Sequence, residues 1–132
     1  MNGHSFRMFY EDYTRQKLAE YWNVPVNKIR HLSLENPISN YDLLFGKLKI
    51  DIKTSSPCVV YRNHAAVWDF SLRKVHNGIR TGQNKECDCF VLLGIKNGIP
   101  KAIYLVPSSE SPKNHLRIPL TGNSKYEKYK IF

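Results

Sequence analysis

Hydrophobic and polar positions alternate most regularly between residues 43 and 55. Leu48, Ile50 and Ile52 interleave with Lys49, Asp51 and Lys53, the period of a half-buried strand. Leu43-Leu44-Phe45 is a short apolar run before it, and Gly46-Lys47 suits a two-residue hairpin turn with glycine first, as type II′ prefers. That register pairs Phe45 with Leu48, Leu44 with Lys49, Leu43 with Ile50, and Asp42 with Asp51. The two carboxylates become cross-strand neighbours, roughly 5 Å apart at Cβ.

Other segments follow other periods. Phe6 to Trp22 predicts a helix, with aromatic residues and Leu18 on one stripe, Lys17 interrupting it and Ser5 offering an N-cap. Asn23 to Asn40 is a connector with two prolines, in which a short helix or edge strand is expected. Val59 to Arg62 and Ala65 to Leu72 are strand candidates, Trp68 and Phe70 facing one way and Asp69 the other. Arg73 to Glu86, broken by Gly78 and Gly82, predicts a mobile basic loop. Phe90–Ile95 and Lys101–Val106 are strands joined through Asn97-Gly98, the strongest hairpin dipeptide. From Pro107 onward the chain turns polar and basic, and Asn123 to Phe132 is a terminal helix or strand.

Like charges facing each other destabilise a sheet, so Asp42 and Asp51 call for a compensating partner. A divalent cation with oxygen ligands supplies one. Lys53 projects from the same face as Asp51, placed to orient a water or balance charge on a phosphate. Asp42, a hairpin-length gap and then Asp51-Ile52-Lys53 resemble the PD-(D/E)xK nuclease signature, with Tyr41 where its nominal proline stands. Only this Asp-Asp-x-Lys core is specific, although the order of the remaining elements is similar to that in small intron-associated homing endonucleases and archaeal-type junction resolvases.

The resemblance implies an α/β fold: a restriction-endonuclease-like core with a central mixed sheet of four to five strands flanked by helices. It makes Val67-Trp68-Asp69-Phe70 the third core strand, and Cys87–Leu92 with Ile103–Pro107 the closing pair. It implies hydrolysis of DNA phosphodiesters with Mg²⁺, Mn²⁺ substituting, held by Asp42, Asp51 and the Ile52 carbonyl. Such nucleases usually add a glutamate from the first helix. Glu11 shares a helix face with Thr14, Leu18 and Trp22 and is the candidate, with Glu20 its rival.

Size and charge narrow the picture further. The 132 residues suit a single domain spanning 1–132. A net charge of +9 with a pI near 9.6 favours a polyanionic partner, most simply double-stranded DNA. Arg73, Lys74, Arg80 and Lys85 crowd the basic loop and are the candidate DNA contacts. Cutting both strands implies a homodimer or higher homo-oligomer. No segment is long and apolar enough for a membrane, and the opening MNGHSFRMFYED lacks a signal-peptide pattern. With an odd count of three cysteines, a cytoplasmic protein with reduced thiols is expected, in a prokaryotic, phage or plastid setting. Cys87 and Cys89 with scattered histidines lack a zinc spacing and are expected to be buried strand thiols. Asn63-His64 matches one dyad of the ββα-metal nucleases, whose other pieces are missing. The competing functions are a structure-selective Holliday junction resolvase and a basic DNA-binding domain without catalysis.

Overall fold

The computed structural model describes residues 3–35, 41–59, 65–76, 79–83, 87–122 and 124–132. In chain order the elements are helix α1 (Gly3–Trp22), strand β1 (Ile29–His31), the single helical turn α2 (Leu32–Glu35), and strands β2 (Leu43–Phe45), β3 (Leu48–Ser55), β4 (Pro57–Val59) and β5 (Ala66–Ser71). Strands β6 (Arg73–His76), β7 (Ile79–Gln83), β8 (Cys89–Lys96), β9 (Ile99–Pro107) and β10 (His115–Pro119) follow. Short 3-10 turns occur at Val26–Lys28, Ser108–Glu110 and Glu127–Tyr129. The helix ends at Asn23, which takes a positive φ of 53° and donates its N–H to the Glu20 carbonyl, a common way to close a last turn. Ser5 lies inside α1, so it is not the N-cap expected of it.

Five strands form a mixed sheet in the order β1-β2-β3-β8-β9. The β3–β8 pair is parallel and the other pairs are antiparallel. β8, an almost unbroken apolar run, lies inside the sheet and is buried on both faces from Cys89 to Ile95, as such runs usually are. Its alternate residues sort the core in two. Val91, Leu93 and Ile95 pack with Ile50, Leu43 and Leu18 of α1 on one face. Phe90 and Leu92 pack with Trp68, Phe70, Leu116 and Ile118 on the other. Trp22, at the end of α1, stacks on Phe45 with centroids 4.7 Å apart.

The second face is covered by another sheet, in the order β10-β5-β4. This departs from the expected architecture in two ways. The Trp68 strand is not a third member of the central sheet, whose place is filled by β1 from the connector. A three-stranded sheet, rather than a helix, also occupies that flank. The α/β class and the mixed five-stranded sheet remain. β10 arises from alternation that the basic composition of the tail conceals, since Leu116 and Ile118 point inward between exposed His115 and Arg117.

Within the segment expected as a loop, Arg73–His76 and Ile79–Gln83 depart from expectation as well: β6 and β7 pair with each other as a third, two-stranded sheet, while residues 77–78 and 84–86 lie outside the described residues. The two hairpins behave as expected. Phe45↔Leu48 closes over Gly46 at φ 60°, and Asn97-Gly98 takes φ values of 54° and 75° between β8 and β9. At the far edge, Tyr104 bridges Lys130 and Ile103 exchanges hydrogen bonds with Ile131 and Phe132, so the tail covers β9.

Candidate active site

Strand pairing decides which way the two charged residues of β3 project. Ladder partners share a face; Asp51 pairs with Phe90 and Lys53 with Leu92, both in the core beneath the three-stranded sheet. Asp51 and Lys53 therefore lie on the face opposite α1. Lys53 Nζ stands 3.4 Å from Asp51 Oδ2, with the lysine about one-fifth exposed and the carboxylate nearly covered. A buried carboxylate is costly unless charge or hydrogen bonds balance it, and the ammonium two residues along supplies part of that balance.

The β2–β3 ladder follows the expected register from Phe45↔Leu48 to Leu43↔Ile50. There it stops, and Asp42 does not continue it as a flat partner of Asp51. The Asp42 N–H donates instead to the Ile50 carbonyl at 2.9 Å, one position out of step. Its carboxylate Oδ2 accepts the Ile52 N–H at 2.8 Å. The side chain thus stands where the next backbone acceptor of β2 would be, satisfying a donor that the strand end would orphan. In an extended strand a residue's N–H and C=O leave on the same edge, so the Ile52 carbonyl emerges beside Asp42.

Glu11 is 4% exposed, so the expected helix face does meet the sheet, with Thr14 and Leu18 fully buried beside it. Its Oε2 accepts from His31 Nε2 at 3.1 Å. His31 pairs with Leu43, the neighbour of Asp42. Glu11 thus approaches the end of β2 from the α1 side, while Asp51 and Lys53 lie on the other. Glu20 is exposed and bridges Lys17 at 3.4 Å, outside the buried set. Glu11, Thr14, Asp42 and Asp51 are the buried polar or charged residues among those described.

His31, Cys87 and Ser108 are the neighbours that the sequence did not single out as site residues. Ser108 Oγ donates to the Cys87 carbonyl at 2.8 Å and lies 3.4 Å from its thiol. Burial pushes the Cys87 thiol up to about 11; the hydrogen bond between it and Ser108 pulls it down, Asp51 raises it and Lys53 lowers it. Cys87 packs in the same core cluster as Phe90 and Leu92, the ladder partners of Asp51 and Lys53. Cys89, on the α1 face, is pushed up to about 12 by burial, with Cys87 and Asp88 adding to it. Asp88 anchors the region by accepting the Lys49 N–H and donating its own N–H to the Lys49 carbonyl, each at 2.8 Å.

Other residues lie elsewhere. Ser55 Oγ donates to the Ser56 carbonyl and accepts the Asp69 N–H, tying β3 to β5. Asp69 accepts from His115 and Arg117 on the outer face of the second sheet. Arg73, Lys74 and Arg80 fall on β6 and β7; Lys85, Asn63 and His64 lie outside the described residues.

Among the described residues, no group of three or more His, Cys, Asp or Glu side chains is close enough together to hold a metal ion. Mg²⁺ uses one or two protein carboxylates and keeps water and phosphate oxygens for the rest; here the Asp42 carboxylate is held by the Ile52 N–H and the Asp51 carboxylate faces Lys53. No helix among the described residues is long and apolar enough to cross a membrane. No family model, curated protein or solved structure matches the chain.

Proposed function

We propose that the chain is a Mg²⁺-dependent endonuclease of the PD-(D/E)xK type, acting on double-stranded DNA. The observation that carries this reading is the nearly covered Asp51 carboxylate 3.4 Å from Lys53, with a second buried carboxylate, Asp42, hydrogen-bonded to the N–H of the intervening Ile52. Acids placed this way cost stability in a small domain, and a charged substrate with its counter-ion offsets that cost.

Asp42, Asp51 and the Ile52 carbonyl would hold the metal, whose chemistry is to acidify a bound water and neutralise charge on the leaving oxygen. Lys53, about one-fifth exposed with its ammonium 3.4 Å from Asp51, would meet a phosphate bound at that pair. It orients the attacking water and balances charge on the phosphoryl oxygens as one P–O bond forms and another breaks. Glu11, held by His31, supports the Asp42 end from the α1 side. The +9 charge, with Arg73, Lys74, Arg80 and Lys85 as contacts, supplies attraction to the phosphate backbone. A homodimer or larger homo-oligomer places one site on each strand of a duplex.

Supercoiled plasmid and a four-way junction, each incubated with Mg²⁺ or with EDTA, test the reading. Plasmid linearisation in Mg²⁺ alone, lost in Asp51→Ala and in Lys53→Ala, is the expected result. Preferential cutting of the junction assigns the same chemistry to junction resolution. DNA binding with no cutting of either substrate leaves only a basic binding domain.

A further inference from the structure

We infer that Lys49, seated over the Tyr41 ring, is a second phosphate-binding position, which holds the phosphate one nucleotide away from the bond that is cut. The inference rests on the nuclease reading above and names what that reading leaves open: how the substrate strand lies along the site.

Strand alternation sets the geometry. Lys49, Asp51 and Lys53 are alternate residues of β3, and Leu48, Ile50 and Ile52 between them pack in the core on the α1 side. The three charged residues therefore share the opposite face, with adjacent members roughly 6.6–6.8 Å apart along the strand. That step is similar in length to the separation of neighbouring phosphates on one DNA strand. A strand lying along β3 with its scissile phosphate at Asp51 and Lys53 brings the next phosphate to Lys49.

Tyr41 belongs to the same face. It is half-buried and packs against the core cluster that contains Phe90 and Leu92, the ladder partners of Asp51 and Lys53. Lys49 is exposed, and its Nζ stands 5.7 Å from the centroid of the Tyr41 ring. Cation–π attraction orients the ammonium without removing it from water, so less ordering is left to lose when it meets a phosphate. The lysine's backbone is fixed as well: its N–H donates to Asp88 Oδ2 and its carbonyl accepts the Asp88 N–H, each at 2.8 Å. Tyr41 is thus a positioning residue that acts through Lys49.

The test uses the full chain and single variants of it, each checked for folding by circular dichroism. Binding to a random-sequence duplex is read by fluorescence anisotropy in EDTA across a salt series, and plasmid cleavage is followed in Mg²⁺. Lys49→Gln should lower the slope of log affinity against log salt by about 0.9, the value of one phosphate contact. It should raise KM for plasmid by about two- to fivefold, with kcat within about twofold of the wild type, whereas Lys53→Ala loses kcat. Tyr41→Leu should weaken binding by about two- to fivefold with the slope kept, and Tyr41→Phe should restore it. Lys96→Gln, an exposed lysine at the β8–β9 turn, is the reference for bulk charge and should leave the slope unchanged. An unchanged slope in Lys49→Gln overturns the inference, as does an equal fall in Lys96→Gln. A kcat loss in Lys49→Gln as deep as that in Lys53→Ala also overturns it, by making Lys49 part of the chemistry. Binding that relies on Lys49 in a wild-type chain that cuts nothing keeps the phosphate contact and removes the nuclease reading. Cutting by the wild type with Lys49 silent does the reverse.

Discussion

Replacing Gly94 by alanine measures how closely the two larger sheets are joined over the Asp51–Lys53 face. Gly94 lies on β8 with its missing Cβ aimed at the Trp68 ring of β5. A methyl group built there stands 2.6 Å from Trp68 Cε2, 2.7 Å from Cδ2 and 3.0 Å from Cε3. The ring has little room to retreat, being 6% exposed and donating its Nε1–H to the Ile95 carbonyl at 3.0 Å. Overpacking of this kind costs about 1–3 kcal/mol, and a buried hydrogen bond surrendered by a displaced ring about 1 kcal/mol more. The expected loss is about 2–4 kcal/mol, a large share of the roughly 5–15 kcal/mol that holds a typical domain together. Urea unfolding followed by circular dichroism reads this as a midpoint lower by roughly 1–2 M, for a slope near 2 kcal/mol per M. In a Trp68→Leu background the same substitution should cost less than about 1 kcal/mol, because the opposing ring is gone. A Gly94→Ala midpoint equal to that of the wild type refutes the tight joint.

The thiols give a second check: at pH 8 a disulfide reagent should modify only exposed Cys58, and Cys87 and Cys89 should react once the chain unfolds. Both buried thiols are held above their ordinary value of 9.0. The folded state therefore binds these protons more tightly than the unfolded one, and stability should fall as pH rises past about 9 toward 11–12 in a urea series. Glu11→Gln should reduce Mg²⁺-supported plasmid cleavage more than Glu20→Gln, and the reverse order would move the helix's role to Glu20. Changing Arg73, Lys74, Arg80 and Lys85 to alanine should flatten the dependence of log affinity on log salt by roughly one unit for each phosphate no longer neutralised. An unchanged slope with intact affinity would put the electrostatic footprint on another surface.

How much of this was legible in the sequence depended on whether local pattern or tertiary context set the outcome. The β2–β3 hairpin was legible because its alternation, its glycine turn and its register all agree. The buried stripe of Glu11, Thr14 and Leu18 followed from helical spacing alone. The location of β5 was not, because Trp68 and Phe70 facing one way fit a strand in either sheet. The indole packs over the bare Cα of Gly94 on β8, a contact that nothing local to β5 records. His31 was hidden for a similar reason: Ile29-Arg30-His31 is too short for a periodic signal, and only its pairing with β2 brings the imidazole to Glu11. The β6–β7 ribbon contains glycines and few apolar residues, so pattern alone favoured a loop.

Asp42 holds two roles at once, and they are separable. Its carboxylate accepts the Ile52 N–H at 2.8 Å where β2 has ended, so part of its contribution is structural. Its charge is what the proposed chemistry requires. The Asp42→Asn change would keep a carbonyl oxygen in the same place and remove the charge, while Asp42→Ala would remove both. Asp42→Ala should therefore cost about 1–3 kcal/mol, the penalty for leaving a buried N–H without a partner. Asp42→Asn should unfold within about 1 kcal/mol of the wild type, since a neutral hydrogen bond replaces a charge-assisted one. Both should fail to cleave plasmid in Mg²⁺. The informative comparison is thus Asp42→Asn assayed for urea stability and for cleavage on the same preparation. Near-native stability with no cleavage assigns the charge to chemistry. Near-native stability with full cleavage would make Asp42 only the last acceptor of β2, and the acid pair would no longer support a metal-dependent nuclease.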